Sequence, residues 1–230
     1  MQLDGLIFDK DGTLFEFAAT WEAWAAVFLT RMTEGDRARA THLGAVIGFD
    51  YENQRFAPDS VVIAGTTGEI ADTLLPEMSG IDREALLRLL NDEAAQAPQA
   101  EAVPLVPFLN RLKGAGLRLG VATNDAEMPA LAHLGKAGID GMFDFIAGFD
   151  SGYGGKPAPG QLNAFLKATG LAPERVAMVG DSSHDLMAGR RAGMHTIGVL
   201  TGMAETVDLQ GMADVVLPDI GHIPGLLGLK

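Results

Sequence analysis

The chain has 230 residues, 47% of them hydrophobic, which is enough for one large domain or two small ones around a sizeable core. Its formal net charge of −13 excludes a typical nucleic-acid partner, because the basic surface that binds phosphate backbones is missing. The sequence contains no cysteine, which excludes disulfides, thiolate metal sites and cysteine nucleophiles.

The sequence also argues against a membrane partner, because it has no run of about 18 uncharged apolar residues. Asp4 and Asp9 stand where a secretory signal would be basic and then apolar. We therefore expect a cytoplasmic protein. The sequence carries no signal for an oligomeric state.

The first predicted element is a buried strand over residues 1–8, followed directly by two carboxylates, Asp9 and Asp11. Gly12 lets the backbone turn sharply after them. The alternation of side chains along a strand predicts Asp9 and Asp11 on one side and Lys10 on the other. Lys10 is thus expected to point away from both acids and receives no predicted role.

The next part of the chain, roughly residues 20–97, is predicted to be helical and shows no clear strand. Its predicted segments are a helix with Thr20 as N-cap, a helical stretch over 36–48, a polar irregular stretch over 49–60 that contains Arg55, a helix over 61–75 and a helix capped by Asp82. The run that ends at Pro98 is typical of a linker.

Strands and helices alternate after this linker. Strands are predicted over 117–122, 145–147, 176–179, 196–200 and 214–217, and helices over 104–113, 128–136, 159–169, 183–192 and close to the C-terminus. This alternation predicts an α/β fold, a Rossmann-like parallel sheet with right-handed crossovers. The helical block would then be an insert that covers a site on the sheet.

Polar groups follow three further predicted strands: Thr123 and Asn124, the loop with Lys156, and residues 180–185 with Asp181 and Asp185. In an open α/β sheet the carboxyl ends of the strands meet at one crevice. A set of acids, a hydroxyl, an amide and a lysine suits phosphoryl transfer, which depends mainly on positioning and charge neutralisation.

Each catalytic candidate has a chemical reason. Asp9 can attack phosphorus as a carboxylate nucleophile. Asp11 can protonate the leaving alcohol and then deprotonate the attacking water. Thr123 can hydrogen-bond the phosphoryl oxygens, and Lys156 can neutralise the nucleophile and the transferring group.

Mg²⁺ is the predicted cofactor, because it is a hard cation that prefers oxygen ligands. The candidate metal residues are Asp9, Asp11, Asp181 and Asp185, the last acting through water or by orienting other ligands. The candidate substrate-binding residues are Thr123, Asn124, Lys156 and Arg55, with Arg55 suited to a substrate carboxylate or second phosphate.

Taken in order, residues 9–14, 123–124, 156–157 and 180–185 resemble the four motifs of the haloacid dehalogenase-like (HAD) hydrolase superfamily. The helical insert between the first two motifs is similar to the C1 cap of phosphoglycolate phosphatase-like members. The resemblance implies a core of residues 1–14 and 98–230, a helical cap of residues 15–97, Mg²⁺, an aspartyl-phosphate intermediate and a small phosphorylated metabolite as substrate.

Other functions remain open at this stage. Asp11 argues against dehalogenases, which lack this acid, and against P-type ATPases, which have threonine there. A phosphosugar mutase needs the same acid, so it stays an alternative. A receiver-like or non-catalytic phosphate-binding module is another, although the helical block and the complete motif set argue against it. Phosphoglycolate phosphatases often have Asp-Ser where this chain has Glu16 and Phe17, which leaves the substrate open.

Overall fold

The structure is a computed structural model and describes residues 2–229. The strands are β1 (Gly5–Phe8), β2 (Phe49–Asp50), β3 (Arg55–Phe56), β4 (Arg118–Ala122), β5 (Phe145–Ala147), β6 (Val176–Gly180), β7 (His195–Val199) and β8 (Val215–Leu217). The helices are α1 (Phe17–Met32), α2 (Arg37–Val46), α3 (Val61–Ala64), α4 (Thr67–Leu74), α5 (Arg83–Ala94), α6 (Leu105–Gly114), α7 (Glu127–Lys136), α8 (Gly160–Thr169), α9 (Ser183–Arg191), α10 (Thr206–Leu209) and α11 (Ile223–Leu226). Short 3₁₀ turns occupy Leu75–Glu77, Asp140–Met142, Pro173–Arg175 and Ile220–His222.

Six strands form one sheet in the order β5-β4-β1-β6-β7-β8, and all its pairings are parallel. β1 lies in the middle and is buried along its whole length, as expected for an all-apolar strand that is covered on both faces. Phe8 pairs with Val121 on β4 and with Val179 on β6. The carboxyl ends of these three strands are therefore level, and the predicted α/β fold is confirmed.

Two buried clusters cover the two faces of the sheet. One contains Leu6, Phe8 and Leu109, and the other contains Ile7, Phe165 and Met178. Leu6 and Phe8 point to one face and Ile7 to the other, following the two-residue period of a strand. The sheet and the clusters on its two faces form a three-layer core, and a site can form at the carboxyl edge of the sheet.

A third buried cluster lies within residues 17–97, where the helices pack on one another. Its centre is aromatic: the Trp24 and Phe28 rings stack with centroids 5.1 Å apart, and Trp21 meets Trp24 edge to face at 5.3 Å. The chain enters and leaves this block at adjacent points. Glu16 N–H donates to the Ala100 carbonyl (2.9 Å), and Ala102 N–H donates to the Leu14 carbonyl (3.0 Å).

Three predictions for the helical block were wrong in detail. Thr20 is not an N-cap, because α1 begins at Phe17. The stretch 49–60 contains a short antiparallel pair, β2 with β3. The helix predicted over 61–75 is two helices, since Thr66 and Glu69 form a capping box that starts α4 after a break.

No helix in residues 2–229 combines the length and apolar character needed to span a bilayer. The cytoplasmic location stays a prediction.

Candidate active site

A cavity lies between the carboxyl edge of the sheet and the helical block. Residues from both parts of the chain line it: Asp9, Asp11, Phe17, Trp21, Trp24, Val62, Ile63, Ala64, Gly65, Thr67, Ile70, Leu90, Ala94, Thr123, Asn124, Asp125, Lys156, Asp181, Ser182, His184 and Asp185. The structure therefore brings all but one of the predicted site residues to one place. The exception is Arg55, which is exposed on β3 and does not line the cavity.

Three buried carboxylates and one lysine form the centre of the cavity. Asp9, Asp181 and Asp185 each offer an oxygen, and these oxygens lie within 4.8 Å of one another. The Lys156 ammonium donates to the Asp9 and Asp185 carboxylates, at 2.6 Å each. Asp9 directly follows β1, Asp181 directly follows β6, and Asp185 lies in the first turn of α9, so the level strand ends place the three acids together.

This arrangement leaves negative charge uncompensated. Burial raises the pKa of Asp9 to about 7, with the Asp185 and Asp11 charges adding to the rise and Lys156 opposing it. Burial, followed by the charges of Asp185 and Asp9, also raises the pKa of Asp181 well above its ordinary value. Burial alone would lower the pKa of Lys156, but Asp185 and Asp9 raise it overall, so this lysine stays charged.

The donor set fits a hard divalent cation. Three carboxylates face one ammonium, and the nearest side-chain donor to Asp181 is the Thr13 hydroxyl at a long 3.4 Å. Oxygen ligands with spare lone pairs and excess negative charge are what Mg²⁺ requires. Asp11 lies outside the group of three, so the structure does not place it with the other metal candidates.

Two glycines leave room for the Asp181 carboxylate. A β-carbon added at Gly12 or at Gly202 would overlap that carboxylate. Gly12 also has a positive φ of 78°, which glycine adopts without strain. Gly12 belongs to the first motif, but Gly202 lies in the loop after β7, where no local pattern in the sequence selects it.

Lys10 does not point away from the acids as predicted. Its ammonium is fully buried, 2.8 Å and 2.7 Å from the two oxygens of Asp11 and 3.4 Å from Asp125. β1 ends at Phe8, so the alternation of a strand no longer applies at residues 9–11. Burial opposes the charge on Lys10, but Asp11 and Asp125 raise its pKa above the ordinary value, so it remains an ammonium.

Lys10 also links Asp11 to the helical block. Its ammonium donates to His133 Nδ1 (2.9 Å), and His133 Nε2 donates to the Ala94 carbonyl at the end of α5 (2.7 Å). An ammonium only donates and a carbonyl only accepts, so these partners fix His133 as the neutral Nε2–H tautomer. Burial, together with the Lys10 charge, lowers the pKa of His133 to about 4.

The predicted substrate-binding residue Asn124 is fully engaged with protein groups. Its amide donates to the carbonyls of Ala64 (2.8 Å) and Lys156 (2.9 Å), and its side-chain oxygen accepts from Lys156 N–H (2.7 Å). His184 Nδ1 donates to the same Ala64 carbonyl (3.1 Å). Asn124 thus orients the Lys156 loop and ties it to α3.

Two further residues that support the site carried no signal in the sequence. Gln161 on α8 donates to the carbonyls of Thr123 and Gly154, at 3.0 Å each, and so joins two site loops. The Thr201 hydroxyl donates to the Gly12 carbonyl (2.6 Å). Both act through contacts between segments that are far apart in the chain, which no spacing rule detects.

Comparison with known proteins agrees with this fold. The model of the haloacid dehalogenase-like hydrolase family matches residues 3–193. "Probable phosphatase IndB" from Dickeya dadantii (strain 3937) is 31% identical over 219 residues, which cover 93% of this chain and 88% of that protein. The phosphoglycolate phosphatase of Agrobacterium fabrum (strain C58 / ATCC 33970) is 29% identical over 225 residues, covering 94% and 89%.

A solved structure shows the same fold. The crystal structure of a predicted phosphoglycolate phosphatase from Haemophilus somnus 129pt aligns with a TM-score of 0.76 at 19% identity, over 98% of each chain. The chain belongs to the haloacid dehalogenase-like hydrolases, and its sequence is similar to phosphoglycolate phosphatases.

Proposed function

We propose that this chain is a Mg²⁺-dependent phosphatase that hydrolyses a small phosphorylated metabolite through an aspartyl-phosphate on Asp9. The observation that carries the proposal is the pairing of Asp9 with the Lys156 ammonium, 2.6 Å away, inside a cluster of three buried carboxylates that fits a divalent cation. Relatives named phosphatase support the class of reaction.

The residues divide the work as follows. Asp9 Oδ attacks phosphorus and forms a new P–O bond, while the bond from phosphorus to the ester oxygen breaks. Asp11 gives a proton to the departing oxygen and then takes one from the water that attacks the phosphoryl group, which releases phosphate and restores Asp9. Thr123 and Lys156 hold the phosphoryl oxygens. Mg²⁺, held by Asp9, Asp181 and Asp185, supplies further charge neutralisation when bound.

We also propose that residues 15–97 act as a cap on a core of residues 1–14 and 98–230. The separate aromatic core of the helical block and its paired entry and exit segments support this division. Closing such a cap excludes water from the chemistry and completes the substrate site.

The first experiment measures phosphate release from two substrates, each in the presence and absence of Mg²⁺. One is phosphoglycolate, which appears in the names of several relatives, and the other is a generic aryl phosphate. We expect Asp9→Asn to lose activity by about 1,000-fold or more, because the amide is a poor nucleophile. Asp59→Asn, the same change at an exposed position, is the matched control. Activity that survives in Asp9→Asn would remove Asp9 from its role, and transfer of phosphate to a second hydroxyl instead of water would indicate a mutase.

A further inference from the structure

The cap side of the cavity is almost entirely apolar. Its contributions from the helical block are Phe17, Trp21, Trp24, Val62, Ile63, Ala64, Gly65, Thr67, Ile70, Leu90 and Ala94. Phosphorus must lie at the acid cluster on the sheet edge, so the alcohol part of a substrate faces these side chains. The wall that meets the leaving group is therefore built from aromatic and aliphatic surface.

Within the described part of the chain, the cavity offers a second anion no arginine and no unpaired lysine. Within residues 2–229 no arginine lines the cavity, and Lys156 is its one lysine. The Lys156 ammonium already contacts Asp9 and Asp185. Of the two ring nitrogens of His184, Nδ1 donates to the Ala64 carbonyl. Arg31 pairs with Glu93 and does not line the cavity.

The polar side-chain groups on this wall are neutral. They are the Thr67 hydroxyl and the indoles of Trp21 and Trp24. The Trp24 Nε1 is buried without a hydrogen-bond partner in the described part of the chain. A buried carboxylate or second phosphate needs a paired cation, whereas an apolar group gains by leaving water. One neutral acceptor on the substrate would suit the wall, but a negative charge would not.

We propose that the substrate is a phosphate monoester whose alcohol part is uncharged and largely apolar, with an aromatic ring as the best fit to the Trp21–Trp24 wall. This narrows the proposed function and rests on it. Phosphoglycolate, whose alcohol part carries a carboxylate, is then a poor substrate despite the names of the relatives.

The test is a matched pair of esters, benzyl phosphate and 4-carboxybenzyl phosphate, which differ by one remote charge and little in the reactivity of the ester. We expect kcat/KM with Mg²⁺ to be at least about tenfold higher for benzyl phosphate, and higher than for phosphoglycolate. Equal values, or a preference for either carboxylate-bearing ester, would overturn the inference while leaving the phosphatase function intact.

Two variants test the cause of the preference. Ile63→Lys places an ammonium on the half-buried cap wall and should shift the ratio toward 4-carboxybenzyl phosphate by about tenfold. Val27→Lys adds the same charge on the outer face of the block, where Val27 is 61% exposed, and should leave the ratio unchanged. A ratio that moves equally in both variants would assign the preference to net charge and overturn the inference.

Calorimetric binding of benzylphosphonate and 4-carboxybenzylphosphonate separates the inference from the proposed function. Tighter binding of benzylphosphonate, without turnover of any ester, would support the ligand class and refute the phosphatase. Turnover of the esters together with tighter binding of 4-carboxybenzylphosphonate would support the phosphatase and refute the ligand class. Failure of both phosphonates to bind would count against the ligand class and the phosphatase alike.

A second, independent observation concerns the charge cluster below the cavity. The Lys10 ammonium contacts both oxygens of Asp11 and is itself held by His133. The geometry assigns Lys10 as a positioning residue, which fixes the rotation of the Asp11 carboxylate so that it meets the leaving oxygen.

The test uses two esters with different needs for a proton. The 4-nitrophenolate ion leaves without protonation, whereas a benzyl alkoxide requires it. We expect Lys10→Met to lower kcat for benzyl phosphate about tenfold more than kcat for 4-nitrophenyl phosphate, with little difference in KM.

Lys10 pairs with both Asp11 and Asp125, and the double variant Lys10→Met with Asp125→Asn removes one of the two acids that would otherwise lose their cation, which limits the loss of stability. The double variant should show the same selective loss. A loss that is equal for the two esters in both variants would indicate a merely structural role and overturn the assignment.

Discussion

The Asp181 carboxylate depends on neighbouring residues that have no side chain. Gly12 and Gly202 approach it from two directions, and a β-carbon on either would overlap it. The cluster of three acids therefore depends on two loops that place backbone where most residues would place a methyl group.

Gly202→Ala should displace Asp181 and weaken metal binding without altering any acidic residue. We expect at least about tenfold more Mg²⁺ to reach half-maximal activity, because a misplaced ligand loses metal affinity. Gly211→Ala is the matched control, since a β-carbon there meets open space. Equal Mg²⁺ dependence in the two variants would contradict this account of the site.

His133 should make stability dependent on pH. Its pKa is lowered from 6.5 to about 4, so the unfolded chain binds its proton first as the pH falls. The contribution of His133 to the free energy of unfolding is fully present above pH 6.5. It is lost as the pH falls toward 4, by about 3 kcal/mol in total.

His133→Gln keeps groups that can accept from Lys10 and donate to the Ala94 carbonyl, but it does not titrate. Urea unfolding between pH 7 and pH 4 should show a shallower loss of stability in this variant than in the wild type. Parallel curves over that range would show that His133 is not the group responsible.

The strand pattern explains why most of the predicted residues lie together in one cavity, because the motif residues come at or soon after the ends of strands whose apolar pattern is clear. The sequence could not orient Lys10, since the alternation it relied on stops with β1 at Phe8. It also could not exclude Arg55 from the cavity, because the side chain's place depends on how β3 lies in the folded helical block.

At the scale of elements, Asn124 joins three segments: the loop after β4, the loop that carries Lys156, and α3. Its amide nitrogen faces two carbonyl oxygens. The contact holds the cap side and the core side of the cavity in register.

Asn124→Asp should replace that donor with an acceptor and set a carboxylate oxygen against two carbonyls. We expect a loss of about 2 kcal/mol in the free energy of unfolding, because buried acceptors lose their donor. Urea midpoints provide the measurement, and Asn163→Asp on the exposed face of α8 is the control. Equal midpoints for the two variants would show that the contact contributes little.

The sequence patterns predicted an element correctly only where residues close together in the chain form the contacts that define it. Asp82 was predicted as an N-cap and is one, since its carboxylate accepts from Ala85 N–H three residues on (2.8 Å). The start of α1 was missed because Glu16 is fixed by the distant Ala100 carbonyl. β2 and β3 were not predicted, because a strand of two residues is too short to show an alternating pattern. The Phe49 and Phe56 rings, whose centroids are 4.8 Å apart, hold the two strands together.

For the whole molecule, the buried acids link metal binding to folding. The folded chain gathers Asp9, Asp181 and Asp185, whereas the unfolded chain does not. Mg²⁺ at 100 times its Kd should therefore add about 2.7 kcal/mol to the free energy of unfolding and raise Tm.

Asp181→Asn should lose this Mg²⁺-dependent rise in Tm, while Asp59→Asn keeps it. Without metal, Asp181→Asn should be more stable than the wild type, because burial penalises ionisation of the Asp181 carboxyl, as its raised pKa shows, and asparagine carries no such penalty. A rise in Tm of equal size in Asp181→Asn would place the metal elsewhere.

The paired segments at Leu14–Glu16 and Ala100–Ala102 have a consequence for exchange between proteins. The chain leaves the part that forms the sheet at one of these segments and returns to it at the other, and the two segments are hydrogen-bonded to each other. If the helical block between them were removed, the two ends left behind would therefore lie side by side. A replacement block needs only termini that are close together, not any particular internal order. We therefore expect the helical block and the sheet unit to be exchangeable as separate units, by an engineer or by gene rearrangement.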